Sequence, residues 1–313
     1  MLTFRLTPYA SADWSWTGTA YMTADRTSRI TPFAHHMLEQ HAVTDRTRTL
    51  LTVRERIAGR KPVPPGVRAV APGAFEQARA AAVSWPADFV LVETQLGYPV
   101  KVTAGAARTT PLYLAESGGS LHGTWDMAGL REFATGLSLR EAARLLVYQP
   151  RYGAETLFSG IRRLTERSTA TYGGALHLHY PEPALHATPR DLVVGADVLA
   201  ALTETIDAAL DLRPLGPQST VFHLTGGFDS GIIATRAACR WPGQVTTAAL
   251  RVIGAGRPQQ DRRRAQILAT LPFSGTDLTI DCADAPPLAP ECPRVRGDLI
   301  SPYEEPLFLP FSG

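Results

Sequence analysis

Lysine is almost missing from this chain. Only Lys61 and Lys101 stand among its 31 basic residues, and neither follows a glycine. A Walker A loop, whose lysine directly follows a glycine to reach the phosphates, is thereby excluded. Cysteine is nearly as rare. Cys239, Cys282 and Cys292 are odd in number and show no Cys-x-x-Cys spacing, which argues against a disulfide framework and against structural zinc. Long apolar runs are lacking too, and residues 1–16 contain no signal-like apolar stretch, so the cytoplasm is the expected compartment. Charge of one sign is absent: a net charge of +2 gives no mandate for nucleic acid or anionic membrane. No internal repeat of useful period appears. With 313 residues, 44% of them hydrophobic, the chain is long enough for two ordinary domains with buried cores.

The most informative stretch is Leu224-Thr225-Gly226-Gly227-Phe228-Asp229-Ser230. It follows a short β-branched and aromatic run at 219–224 and opens into a helical pattern from 230 to 240. Two adjacent glycines let the backbone turn sharply and bring bare amide N–H groups up to an anion. The helix start directs its positive end to the same place. Thr225 and Ser230 add hydroxyl donors, and Asp229 adds a carboxylate for a hard cation such as Mg²⁺. The loop suits the phosphates of ATP, and its glycines are too close together for a dinucleotide fingerprint.

The flanking pattern predicts a helix at 192–212, a second strand at 245–252, a further helix near 259–271 and a third strand at 277–280. Strands and helices alternating at this pitch predict a parallel sheet with crossover helices, and a ligand at the carboxyl ends of the strands. The N-terminal half differs. Short strand candidates at 88–93, 99–103, 111–115 and 121–125, punctuated by glycine, predict an antiparallel β-rich domain with helical inserts at 73–84 and 138–148. Residues 60–72 are Pro-rich and read as an exposed connection. Residues 180–190, with Pro181, Pro183 and Pro189, are the best domain boundary.

Three stretches in order carry a family resemblance: Thr110-Pro111-Leu112-Tyr113, then Thr156-Leu157-Phe158-Ser159-Gly160-Ile161-Arg162-Arg163-Leu164, then the Thr-Gly-Gly-Phe-Asp-Ser loop. Together they resemble the asparagine synthetase class B family, clearest from Phe89 onward. The loop resembles the Ser-Gly-Gly-x-Asp-Ser element of N-type ATP pyrophosphatases, with Thr225 for Ser. The resemblance implies an α/β and α+β chain. Residues 1–180 would be a β-rich, glutamine-amidohydrolase-like domain of layered sheets with helices. Residues 192–313 would be the first part of a doubly wound parallel α/β ATP-pyrophosphatase domain. It further implies ATP and Mg²⁺, held by Thr225, Gly226, Gly227, Asp229 and Ser230. By the same resemblance Asp229 would be the metal ligand, and adenine would lie against the main chain at Leu224 and Leu250. Glu305, in Glu304-Glu305-Pro306, resembles an acceptor-pocket element; a charged loop before an apolar strand is the alternative reading.

Members that hydrolyse glutamine carry Cys directly after the initiator Met, where this chain has Leu2, and no Cys precedes Cys239. That departure implies an amine supplied by a substrate instead of released ammonia. The pattern from Thr110 to Asp126 is most similar to lasso-peptide cyclases, which implies a precursor peptide and, as partners, a leader-binding protein and a protease. β-Lactam synthetases are the alternative within the family. The family's synthetase domain runs well beyond residue 313 and carries its catalytic residues there. The chain is therefore expected to be truncated, one half of a split enzyme, or a non-catalytic remnant.

Other residue groups carry blander expectations. His35, His36 and His41 fall on a helix-like segment as exposed histidines. Arg262-Arg263-Arg264 is a solvated helix face, or else a grip on an acidic substrate segment. Trp14, Trp16 and Trp125 are packing residues, since no basic stripe accompanies them.

Overall fold

The computed structural model describes residues 1–9, 13–107, 110–147, 149, 151–182, 193–217, 219–251 and 254–283. The chain is mixed α/β with several sheets and divides into two compact units, Met1–Arg190 and Asp191–Gly313. Most of the expected boundary at 180–190 lies outside the described residues.

In the first unit the strands are β1 (Leu2–Leu6), β2 (Trp14–Trp16), β3 (Tyr21–Thr23), β4 (Arg29–Pro32), β5 (Leu38–Thr44), β6 (Arg48–Glu55), β7 (Val67–Ala69) and β8 (Phe89–Gln95). After them come β9 (Val100–Ala104), β10 (Tyr113–Ser117), β11 (Ser120–Thr124), β12 (Gly136–Leu137), β13 (Phe158–Ser159), β14 (Ile161–Arg163), β15 (Thr169–Tyr172) and β16 (Leu176–His179). Helix α1 is Pro72–Val83 and α2 is Leu139–Leu146, and a 3-10 turn spans Met127–Phe133. One seven-stranded sheet has the order β14-β10-β11-β1-β4-β3-β2, and a second has β16-β15-β9-β8-β6-β5-β7.

The two sheets share one core. Leu2, Phe4, Leu6, Ile30 and Leu114 of the first meet Leu51, Val53, Val90, Val92 and Val102 of the second. Strict alternation along β1, with Leu2, Phe4 and Leu6 buried and Thr3 and Arg5 exposed, marks a strand with one dry face. The inner six residues of β6, by contrast, are all buried. Its outer face is covered as well: α1 buries Phe75 and Ala82, and its Arg79 meets Glu93 of β8 at 2.8 Å. Trp14 is buried and its indole N–H donates to Thr94 Oγ1 at 3.0 Å. Trp16 stacks at a tilt on Tyr21, and Trp125 on Phe33.

Two expectations need correction. Residues 38–44 form β5 and no helix, because the segment pairs along its whole length with β6, from Leu38–Glu55 to Thr44–Thr49. His41 is consequently mostly buried, while His35 and His36 are exposed. Within residues 60–72, expected as a connection, Val67–Ala69 adds a parallel edge strand to β5, and the Gly66 N–H donates to the Tyr21 hydroxyl at 3.2 Å.

The second unit contains α3 (Val198–Leu212), β17 (Val221–His223), α4 (Phe228–Arg240), β18 (Thr246–Arg251), α5 (Arg257–Thr270) and β19 (Asp277–Asp281). The strands form a parallel sheet in the order β17-β18-β19. Helix α3 starts only at Val198, because Asp197 caps it by accepting the Ala200 N–H at 2.9 Å. Residues from all three helices pack against Phe222 and Leu224: Leu210 and Ile206, Ala234 and Ala237, Ile267 and Leu268.

Candidate functional site

The Thr225-Gly226-Gly227 loop joins β17 to α4 at the carboxyl end of the parallel sheet. The ladder runs one residue past β17, since the Leu224 N–H donates to the Ala248 carbonyl at 2.7 Å. Gly226 then turns with φ +84°, a region open to glycine at little cost. Space as well as conformation demands glycine here. A Cβ on Gly226 would lie 2.2 Å from the Gln260 carbonyl oxygen of α5. Gly227 caps α4 with no side-chain hydrogen bond, so the first-turn amides of that helix have no side-chain acceptor at the cap.

The two loop hydroxyls face each other. Thr225 Oγ1 lies 3.0 Å from Ser230 Oγ, which also accepts the Thr225 N–H at 3.2 Å. The Gly227 N–H reaches Thr225 Oγ1 at 3.4 Å, a long bond. The expected phosphate donors thus stabilise the loop itself, and a ligand would draw on them by exchange. Asp229 is exposed in the first turn of α4 and has no hydrogen-bond or ion-pair partner among the described residues.

Leu224 and Leu250 sit at the ends of adjacent strands, both buried. Neither offers an idle main chain. The Leu224 carbonyl accepts Arg264 Nε at 2.8 Å, and the Leu250 N–H points at His223 Nε2 at 3.4 Å. Partial burial holds the His223 imidazole below its ordinary pKa. Glu305 lies outside the described residues.

Arg264 departs from its expected place on a solvated face. Its side chain is 12% exposed and joins the Leu224 carbonyl to Asp277, which also accepts the Thr247 hydroxyl at 2.6 Å. Arg262 and Arg263 remain exposed.

A charged group at the same end of the sheet escaped sequence reasoning. Arg251 at the end of β18 meets Asp261 at 2.7 Å; Arg257 meets Asp281, at the end of β19, and lies 3.7 Å from Asp261. Each aspartate carboxyl is held below its ordinary pKa, by the arginine bond first at Asp261 and by the Ala283 N–H first at Asp281. The i,i+4 spacing of Arg257 and Asp261 was a readable signal; their meeting with two strand ends was not.

No family model matches the chain, and no curated protein matches it either.

What the loop can do chemically follows from its parts. Its glycine turn and helix start form a cradle for an anion, and Asp229 is free to take a cation. Among the described residues no group of three His, Cys, Asp or Glu side chains converges. A Mg²⁺ ion here would have Asp229 as a single protein carboxylate, with phosphate oxygens and water completing its shell, an arrangement Mg²⁺ commonly adopts.

Proposed function

We propose that this chain is an ATP-dependent, AMP-forming amide ligase resembling the asparagine synthetase family, with a macrolactam-closing, lasso-peptide-type reaction as its substrate class. One observation carries the reading: a Gly-Gly loop, packed closely against α5 at Gly226, opens a helix at the carboxyl end of a parallel sheet. In this reading the loop amides and Thr225, Gly226, Gly227 and Ser230 hold the phosphates, while Asp229 takes the Mg²⁺. A substrate carboxylate attacks the α-phosphorus, pyrophosphate leaves, and an amine captures the acyl-adenylate with release of AMP. The protein's part is positioning and charge cancellation. The second unit would be the first portion of a doubly wound pyrophosphatase domain.

The first unit would be a glutamine-amidohydrolase-like scaffold without its nucleophile, since Leu2 is fully buried at the start of β1. The amine then comes from a precursor peptide, with a leader-binding protein and a protease as pathway partners and the cytoplasm as compartment. Among the described residues no helix is long and apolar enough to cross a membrane. A small-molecule ligase of β-lactam type shares every loop feature. A nucleotide-binding remnant without turnover is the other reading, favoured by the mutual bonding of the Thr225 and Ser230 hydroxyls.

Calorimetric titration with Mg-ATP tests the phosphate site. Asp229→Ala should weaken binding by roughly ten- to a hundredfold, the worth of a contact to a charged group. Equal affinity in both proteins would remove the phosphates from this loop, and no binding by the wild type would sink the ATP reading of this chain. AMP release in the presence of candidate peptides separates ligase from remnant.

A further inference from the structure

The outer face of the first sheet carries chemistry that the proposed ligase reaction does not use. Pairing places Arg29 of β4 directly opposite Arg5 of β1, and Arg5 directly opposite His122 of β11. Like charges directly opposite each other on neighbouring strands destabilise a sheet. The row alongside is equally ordered: Thr31, Thr3 and Thr124 face one another across the same three strands. Guanidinium and imidazole donors therefore lie next to three hydroxyls on one rigid surface.

That surface floors a cavity of about 600 Å³, roofed on one side by the 3-10 turn with Leu130 and Phe133. The volume falls within the range of small-ligand pockets, roughly 300–1,000 Å³. Arg26 adds a third guanidinium to its lining, against the single carboxylate of Glu132. None of the three arginines pairs with a carboxylate among the described residues. By contrast, Arg48 and Arg54 on the second sheet and Arg79 on α1, which covers it, each meet one at 2.8 Å or closer. Arg5 spends Nε on the Thr27 carbonyl at 3.3 Å, and Arg29 spends Nε on Thr31 Oγ1 at 3.2 Å. Arg29 keeps its terminal N–H groups for a partner, in the fork geometry that matches phosphate, while Arg5 keeps Nη1, its Nη2 reaching the Arg26 carbonyl in a long contact of 3.5 Å. The His122 ring lies 4.3 Å from that of Phe133, which gives the cavity an aromatic wall beside its charged floor.

We propose that this cavity binds a small organic phosphate, its phosphoryl oxygens held by Arg5, Arg29 and the threonine row and its organic part against Phe133. The ligand would relieve the repulsion built into the floor, so the site is paid for only when occupied. It is independent of the ATP reading of the second unit.

The test is titration of the whole protein, at constant ionic strength, with inorganic phosphate, phenyl phosphate and citrate, followed by calorimetry and melting temperature. Phenyl phosphate should bind more tightly than inorganic phosphate. Arg29→Gln should weaken it by about tenfold or more, the loss of a charge-assisted bond. The ligand-free Arg29→Gln protein should melt at or above the wild-type temperature, because an opposed like charge is gone, and Arg29→Lys should retain part of the binding. Failure of both phosphates to saturate the wild type at millimolar concentration would overturn the proposal. So would unchanged affinity in Arg29→Gln, which would put the phosphate elsewhere, or binding of citrate alone.

Discussion

His41 and Thr52 face each other across β5 and β6, and each has a buried polar atom, Nδ1 and Oγ1 respectively, without a hydrogen-bond partner among the described residues. A buried hydroxyl that bonds nothing carries its full desolvation cost, about 1–3 kcal/mol. Thr52→Val keeps the shape and removes the orphan, so it should stabilise the first unit by about 1 kcal/mol. Urea unfolding would show this as a higher midpoint at unchanged slope; a lower midpoint would mean that the hydroxyl has a partner such as buried water. Side-chain placement of this kind was the part least legible in the sequence. The triplet Arg262-Arg263-Arg264 reads as one charged face, yet only Arg264 turns inward, because helical spacing aims it at the end of β17. Thr225 and Ser230 were legible as hydroxyls at the loop; their bonding to each other was not, since it depends on the turn at Gly226.

At the scale of elements, the loop and α5 are fixed to each other through Gly226. Alanine there meets two obstacles at once, a left-handed φ of +84° and a backbone oxygen 2.2 Å from its Cβ. Backbone cannot step aside as a flexible side chain can. Gly226→Ala should therefore displace α5 or unfold the second unit, at a cost of several kcal/mol, on the order of the largest single-residue effects. Far-UV circular dichroism during melting would reveal it, whereas Gly243→Ala, at φ +73° with no atom within 4 Å, serves as the milder control. Elements governed by local pattern were readable in advance. β18 and β19 stand out by their composition, and α4 follows from its helical spacing after the glycines. β5 was misread because Leu38 to Thr44 gains its extended form from seven cross-strand pairs with β6, which no local window contains. β7 was hidden for the same reason, inside a Pro-rich stretch that pairs only at Val67–Ala69.

For the whole molecule, the apolar interior is divided unevenly. The cluster between the two sheets gathers residues from most strands of the first unit, while the second unit's cluster has six buried members. Acid sensitivity should arise in the larger core. Burial lowers the His41 pKa from 6.5 to about 4, with nearby Arg54 and Arg68 pushing the same way and Glu39 opposing. The unfolded chain therefore takes up this proton first as the pH drops. Stability is fully present above pH 6.5 and is lost as the pH falls from there towards 4. Between pH 7 and 5 the loss should be about 2 kcal/mol, by linkage. Urea midpoints at the two pH values measure it, and His41→Gln should flatten the difference; an equal drop in that variant would assign the acid response to other groups. The alternation at residues 2–6 is a strand signal that the sequence reading passed over, and nothing local in it shows the seat of β1 in the middle of a sheet. That seat has a consequence in time. β1 leaves the ribosome long before its neighbour β11, which ends only at Thr124, the partner of Thr3. At ordinary synthesis rates of about 5–20 residues per second, β1 waits on the order of ten seconds for that partner. Throughout that interval Leu2, Phe4 and Leu6 lie uncovered along one open edge, so the nascent chain is most exposed to aggregation before its first sheet can close.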